Sequence, residues 1–147
     1  MPQDSLAIGL LVQDMSHSAV IHAARKAVDK ANQSGEYGDR PYKIIVRTTD
    51  GFWGAGSKES VSLVYEDQVR AMLGSLDGRN AHLAEQVAAK SHLVYLETRA
   101  TDPTLSQAYV PWFFRTVPND DQQSRALLEE IHTSGNGPVA ILSRDHY

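Results

Sequence analysis

Residues Leu6–Val12 read LAIGLLV, seven residues without a charge, followed at once by the polar loop 13–18. A continuous apolar run of strand length is the pattern of a strand covered on both faces, as in a parallel sheet, and not of one with a wet side. Downstream the period changes to a helical one: Val20, Ala24, Ala27, Val28 and Ala31 recur on one face, and Gly35 follows as a stop. The alternation then repeats. Tyr42–Thr48 (YKIIVRT) predicts a second strand, residues 57–65 a short helix with Val61, Val64 and Tyr65 on one face, and residues 68–74 (QVRAMLG) a third strand. Asn80 is placed to cap a helix carrying Ala84, Val87 and Ala88, and residues 92–96 (HLVYL) predict a fourth strand. Three strand–helix units in succession imply parallel crossovers and a three-layer α/β/α sandwich around a mainly parallel sheet.

Past residue 96 the pattern loosens. Residues 97–111 form a polar segment containing Pro103 and Pro111, and residues 112–117 (WFFRTV) predict a short aromatic strand. Asn119 and Gln122 have capping-box spacing before a helix bearing Leu127, Leu128 and Ile131, which Gly135 and Gly137 stop. Val139 to Leu142 (VAIL) predict a sixth strand.

Composition narrows the function classes. The chain has 147 residues, 41% apolar and 22% charged, with 18 acidic against 14 basic side chains and a net charge of −4. That is the profile of an ordinary globular domain with no general attraction to nucleic acid or anionic lipid. Without cysteine there are no disulfides, zinc–thiolate sites or thiol nucleophiles. The segment GFWGAGSK (51–58) inverts the Gly-Lys-Ser order of a phosphate loop and places Phe52 and Trp53 where a phosphate would sit, so the glycines are read as permitting a tight loop. A receiver-domain magnesium site lacks its paired acids, because Asp14 stands alone. The six histidines show no metal-ligand spacing, and no Gly-x-Ser-x-Gly elbow is present. Asp120 and Asp121 fit a helix start, where the dipole favours anions.

Ligands of open parallel sheets bind at the carboxyl ends of the strands, which directs attention to loops 13–17, 49–54, 75–80 and 97–102. An aromatic wall, backbone N–H groups at helix starts and an arginine suit a small zwitterion or carboxylate.

Several segments together resemble the type I periplasmic binding proteins, the amino-acid receptors of ABC transporters typified by the leucine/isoleucine/valine-binding protein. They are residues 65–74 (YEDQVRAMLG), 81–90 (AHLAEQVAAK) and 100–105 (ATDPTL), and residues 111–116 (PWFFRT) followed by 120–123 (DDQQ). The resemblance implies a non-enzymatic solute-binding protein, periplasmic or extracellular, that takes a small polar or amino-acid-like ligand and delivers it to a membrane permease. A ligand-sensing regulatory module of the same fold is the alternative, and an α/β enzyme a third. It further implies that residues 1–118 form an amino-terminal lobe and that 119–147 begin a second one, with self-association through surfaces the second lobe would cover. No cofactor or metal is expected. Carried over residue by residue, the family's ligand loops fall on Leu76, Asp77, Gly78 and Arg79 and on Ala100 and Thr101. Where the family places serines and threonines in the first loop, this chain has Asp77, Gly78 and Arg79. In that position Arg79 would pair with a carboxylate and Asp77 with an amine, and Trp53 would provide a wall.

Overall fold

A computed structural model describes residues 5–36, 38–51, 54–107, 109–135 and 137–142. Strands β1 (Leu6–Val12), β2 (Tyr42–Thr48), β3 (Ala71–Ser75), β4 (Val94–Glu97) and β5 (Phe113–Arg115) form one sheet in the order β2-β1-β3-β4-β5. Every neighbouring pair is parallel. Helices α1 (Ser18–Ser34), α2 (Ala55–Tyr65) and α3 (Gly78–Ser91) connect the first four strands, and α4 (Thr104–Gln107) precedes β5. Helix α5 (Asp120–Ser134) follows it. This is the expected α/β architecture with a parallel sheet.

The strand order dictates the layers. The chain steps one way from β1 to β2 and then returns across β1 to β3, β4 and β5. With right-handed crossovers, α1 therefore covers one face and α2 with α3 the other. The second face holds the dense core: Leu63, Met72, Leu76, Ala81, Ala84, Tyr95 and Leu105 are inaccessible to solvent. On the α1 face the buried cluster among the described residues is Leu10, Val12 and Ile21, and an apolar hollow of about 320 Å³ lies between α1 and the β1–β2–β3 surface. Burial of a Leu-sized side chain contributes about 2 kcal/mol, so the α2–α3 face carries most of the stability.

Several boundaries shift for identifiable reasons. Gln68 adopts a left-handed conformation (φ 51°) and the Arg70 amide donates to the Ala7 carbonyl, so the third strand starts at Ala71, not at 68. His92 (φ 53°) is the left-handed cap of α3, which delays β4 to Val94. The cap of α3 lies three residues before the expected one: Asp77 is the N-cap, its carboxylate accepting the Asn80 amide at 3.0 Å. Helix α2 buries Gly56, Ser60, Ser62 and Leu63, while Val61 and Tyr65 are exposed. Its contact with α3 is made by small residues, since a Cβ at Gly56 would strike the Asn80 side chain. In α1, Ile21 is the buried residue and Ala27 is exposed. Within the polar segment 97–111, Leu105 on α4 inserts fully into the core.

The Asn119–Gln122 capping box forms as expected. No residue of α5 is buried, and Leu127 and Leu128 stay exposed. Residues 139–142 form no strand, because a strand needs a neighbour for its ladder and none of the five described strands pairs with them. Among the described residues no helix is long and apolar enough to cross a membrane.

Candidate functional site

The strand order reverses at β1, which places a topological switch point between β1 and β3. Loops leaving two neighbouring strands in opposite directions open a crevice at their carboxyl ends, where ligands of open α/β sheets bind. An open cleft of about 560 Å³ occupies this place, lined by Gln13 after β1, Asp77, Gly78, Arg79 and Asn80 after β3, and Arg99 after β4.

Each loop is fixed by local chemistry. In the first, Asp14 accepts the Ser16 amide at 2.7 Å, and these hydrogen bonds with Ser16 hold the exposed Asp14 carboxyl below the usual range. Arg99 Nη1 lies 3.1 Å from His17 Nε2 and 3.5 Å from Gln13 Oε1, tying the first loop to the β4 loop. A guanidinium can only donate, so His17 Nε2 is the acceptor in this contact, and His17 Nδ1 lies 3.5 Å from Asp14 Oδ1. In the β3 loop both Asp77 carboxylate oxygens are engaged, by the Asn80 amide and by Asn80 Nδ2 at 2.8 Å.

Arg79 is exposed and has no ion-pair or hydrogen-bond partner among the described residues. The contrast with Arg47 on β2 is instructive: that guanidinium meets Asp67 at 2.7 Å, Glu59 at 3.0 Å and Glu66 at 3.3 Å, chiefly through Asp67, and is fully occupied in joining β2 to α2. An arginine saturated by three carboxylates is scaffold, whereas Arg79, and the part of Arg99 not held by neutral groups, is free for an anion.

The sequence-predicted residues divide accordingly. Asp77, Gly78 and Arg79 line the cleft. Leu76 and Ala100 have their side chains in the core, and their amides donate to Glu97 Oε1 at 3.3 and 3.1 Å. Thr101 is half-buried and its carbonyl accepts the Asp120 amide at 2.9 Å, at the start of α5. Trp53 lies outside the described residues. Gln13 and Arg99 lie in the strand-end loops that the sequence singles out but carry no individual signal there beyond the position of Arg99 two residues past the end of β4, and Asn80, expected as a helix cap, lines the cleft.

A second polar cluster stands off the cleft. His82 Nε2 is 2.8 Å from Thr104 Oγ1 and 3.3 Å from Asp102 Oδ2, while Nδ1 is 3.5 Å from Glu85 Oε2. Hydrogen bonds from Thr104 keep the Asp102 carboxyl below its usual range, and burial pushes Glu85 up. Arg115 Nη2 donates to the Asp102 carbonyl at 2.8 Å. Among the described residues no group of three His, Asp or Glu side chains could hold a metal ion.

A parallel sheet of this order, with an arginine-lined cleft at its switch point, makes the chain an α/β lobe with an open crevice at its strand ends. The chain belongs to the receptor family ligand binding region, which matches residues 19–147. The family is one of binding proteins and receptors, not of enzymes. Over 70 residues the chain is 40% identical to Glutamate receptor 3.7 of Arabidopsis thaliana, covering 48% of this chain and 8% of that protein. Its fold is similar to an ABC transporter substrate-binding protein from Desulfitobacterium hafniense, with a TM-score of 0.81 at 19% identity over 90% of this chain and 40% of the other. It is also similar to the branched-chain amino acid transporter substrate binding protein LivJ of Streptococcus pneumoniae, solved in complex with isoleucine. There the TM-score is 0.71 at 18% identity, over 80% of this chain and 35% of the other. The periplasmic-binding-protein fold expected from the sequence is thereby borne out. The chain spans less than half of each of these proteins.

Proposed function

We propose that the chain is a ligand-binding lobe that takes a small carboxylate-bearing, amino-acid-like solute at the switch-point cleft, outside the cytoplasm, for delivery to a membrane ABC transporter. The observation that carries the reading is that Arg79, without an ion-pair or hydrogen-bond partner among the described residues, and Arg99, which meets Gln13 and His17, line one cleft at the strand ends. A carboxylate held by one guanidinium gains charge-assisted hydrogen bonds, which supply orientation as well as affinity. Asp77 acts here as a helix cap, so the ligand's amine would be met by carbonyl groups or by the facing lobe.

Titration of the isotope-labelled chain with leucine, glutamate and succinate, followed by amide shifts, tests this directly. Saturable shifts at Gln13, Gly78, Arg79 and Arg99 are expected, and Arg79→Ala should weaken binding at least about tenfold, equivalent to about 1.4 kcal/mol. Binding that ignores the substitution would remove Arg79 from the site.

A second reading concerns what the bound lobe does next. The likeness to a protein named as a glutamate receptor favours a module that reports its ligand to an attached partner. Reconstituted solute uptake with a neighbouring permease supports delivery; a signalling or channel segment on the full-length chain supports reporting.

A further inference from the structure

The strand-end edge holds an anion position that the chain fills itself. Glu97, the last residue of β4, is wholly buried, and its Oε1 accepts the amides of Arg99 at 2.8 Å, Ala100 at 3.1 Å and Leu76 at 3.3 Å, together with the Thr98 amide at 3.0 Å, which it shares with the Gly74 carbonyl of the β3–β4 ladder, also at 3.0 Å. Its Oε2 accepts the Tyr95 hydroxyl, which burial, with Glu97 beside it, keeps protonated and able to donate. Room for this carboxylate comes from Gly74, its register partner on β3, where a Cβ would collide with both Glu97 Oε2 and the Tyr95 ring. Amides from two separate loops converging on one oxygen are the arrangement a bound carboxylate requires.

We propose that these four amides are a carboxylate cradle occupied from within by Glu97. Glu97 is then a specificity-determining residue: it closes the backbone subsite and leaves the ligand's carboxylate to Arg79 and Arg99. The second statement rests on the ligand reading above; the cradle does not.

Glu97→Ala removes the equivalent of one acetate, so acetate is the probe. At constant ionic strength against chloride, the variant should show a rise in Tm that grows with the logarithm of acetate concentration above Kd, roughly 5 °C at ten times the Kd of acetate. The native chain and Glu97→Gln, whose side chains fill the cradle, should not respond. An Ala variant that melts identically in acetate and chloride, or a native chain that shifts as much, overturns the proposal. Should the Ala variant fold only with acetate present, that requirement supports it. An independent readout on the native chain is amide exchange. Arg99 and Ala100 should exchange at least about 100-fold more slowly than an open loop, and loop-like rates at both overturn the cradle whatever the variant does. Failure of the cradle with intact Arg79-dependent ligand binding leaves the functional reading standing; the reverse leaves the cradle standing and removes the ligand reading.

Discussion

Glu97 and Glu85 are both buried carboxylates on the same side of the sheet, yet they have opposite surroundings. Glu97 accepts four amides and a hydroxyl. Glu85, on α3, has only His82 at 3.5 Å and the nearby Arg115, and its Oε1 has no hydrogen-bond partner among the described residues. A buried charge with a complete shell fixes local structure, whereas one with an incomplete shell destabilises the charged form. The first builds the strand-end loop, and the second shows that burial of a carboxylate is not by itself a sign of function.

The comparison can be broken at several points. The largest effect is expected from Gly74→Ala, which forces a methyl between Glu97 and Tyr95 and should cost about 3 kcal/mol in denaturant unfolding. Near-native stability would mean that the Glu97 shell is loose. Next, the same isosteric change should act with opposite sign at the two sites. Glu97→Gln weakens charge-assisted hydrogen bonds and should cost about 2 kcal/mol. Glu85→Gln should instead stabilise at neutral pH, by about 1 kcal/mol or less. Because burial raises the folded-state Glu85 pKa, the stability linked to its protonated form is full below the ordinary carboxylate range and lost as pH rises. The gain from Gln should therefore be present at pH 7 and vanish toward pH 3 in thermal melts.

Smaller effects sharpen the split between scaffold and site. Asp77→Ala removes the α3 cap and should cost about 1 kcal/mol. Arg79→Ala removes an exposed side chain with no hydrogen-bond or ion-pair partner among the described residues and should leave stability within about 0.5 kcal/mol while weakening ligand binding.

Much of the fold was readable from the chain because the parallel strands are apolar throughout and the helices between them have one buried stripe. What escaped was set by contacts distant in sequence. The left-handed residues Gln68 and His92 moved strand starts, and neither is glycine, so nothing local announced them. Beside Leu63, the buried face of α2 includes Gly56 and Ser60, small residues that carry no hydrophobic signal until α3 is placed against them. The site was legible at the level of loops, since strand-end position follows from the sheet. Asp77 has two uses open to it in the sequence, cap and ligand partner, and in the structure Asn80 engages both of its carboxylate oxygens. Glu97 was readable only as a charge ending an apolar strand. Its role depends on Gly74 and Leu76, more than twenty residues earlier.

The central claim is that a carboxylate-bearing ligand binds at the β1–β3 switch point through Arg79 and Arg99. The direct measurement is titration of the chain with leucine, glutamate and succinate, repeated with Arg79→Ala and Arg99→Ala. Saturable amide shifts confined to the loops after β1, β3 and β4 are expected, with affinity weakened at least about tenfold in each variant. Binding centred elsewhere, or of unchanged affinity in both variants, would contradict it.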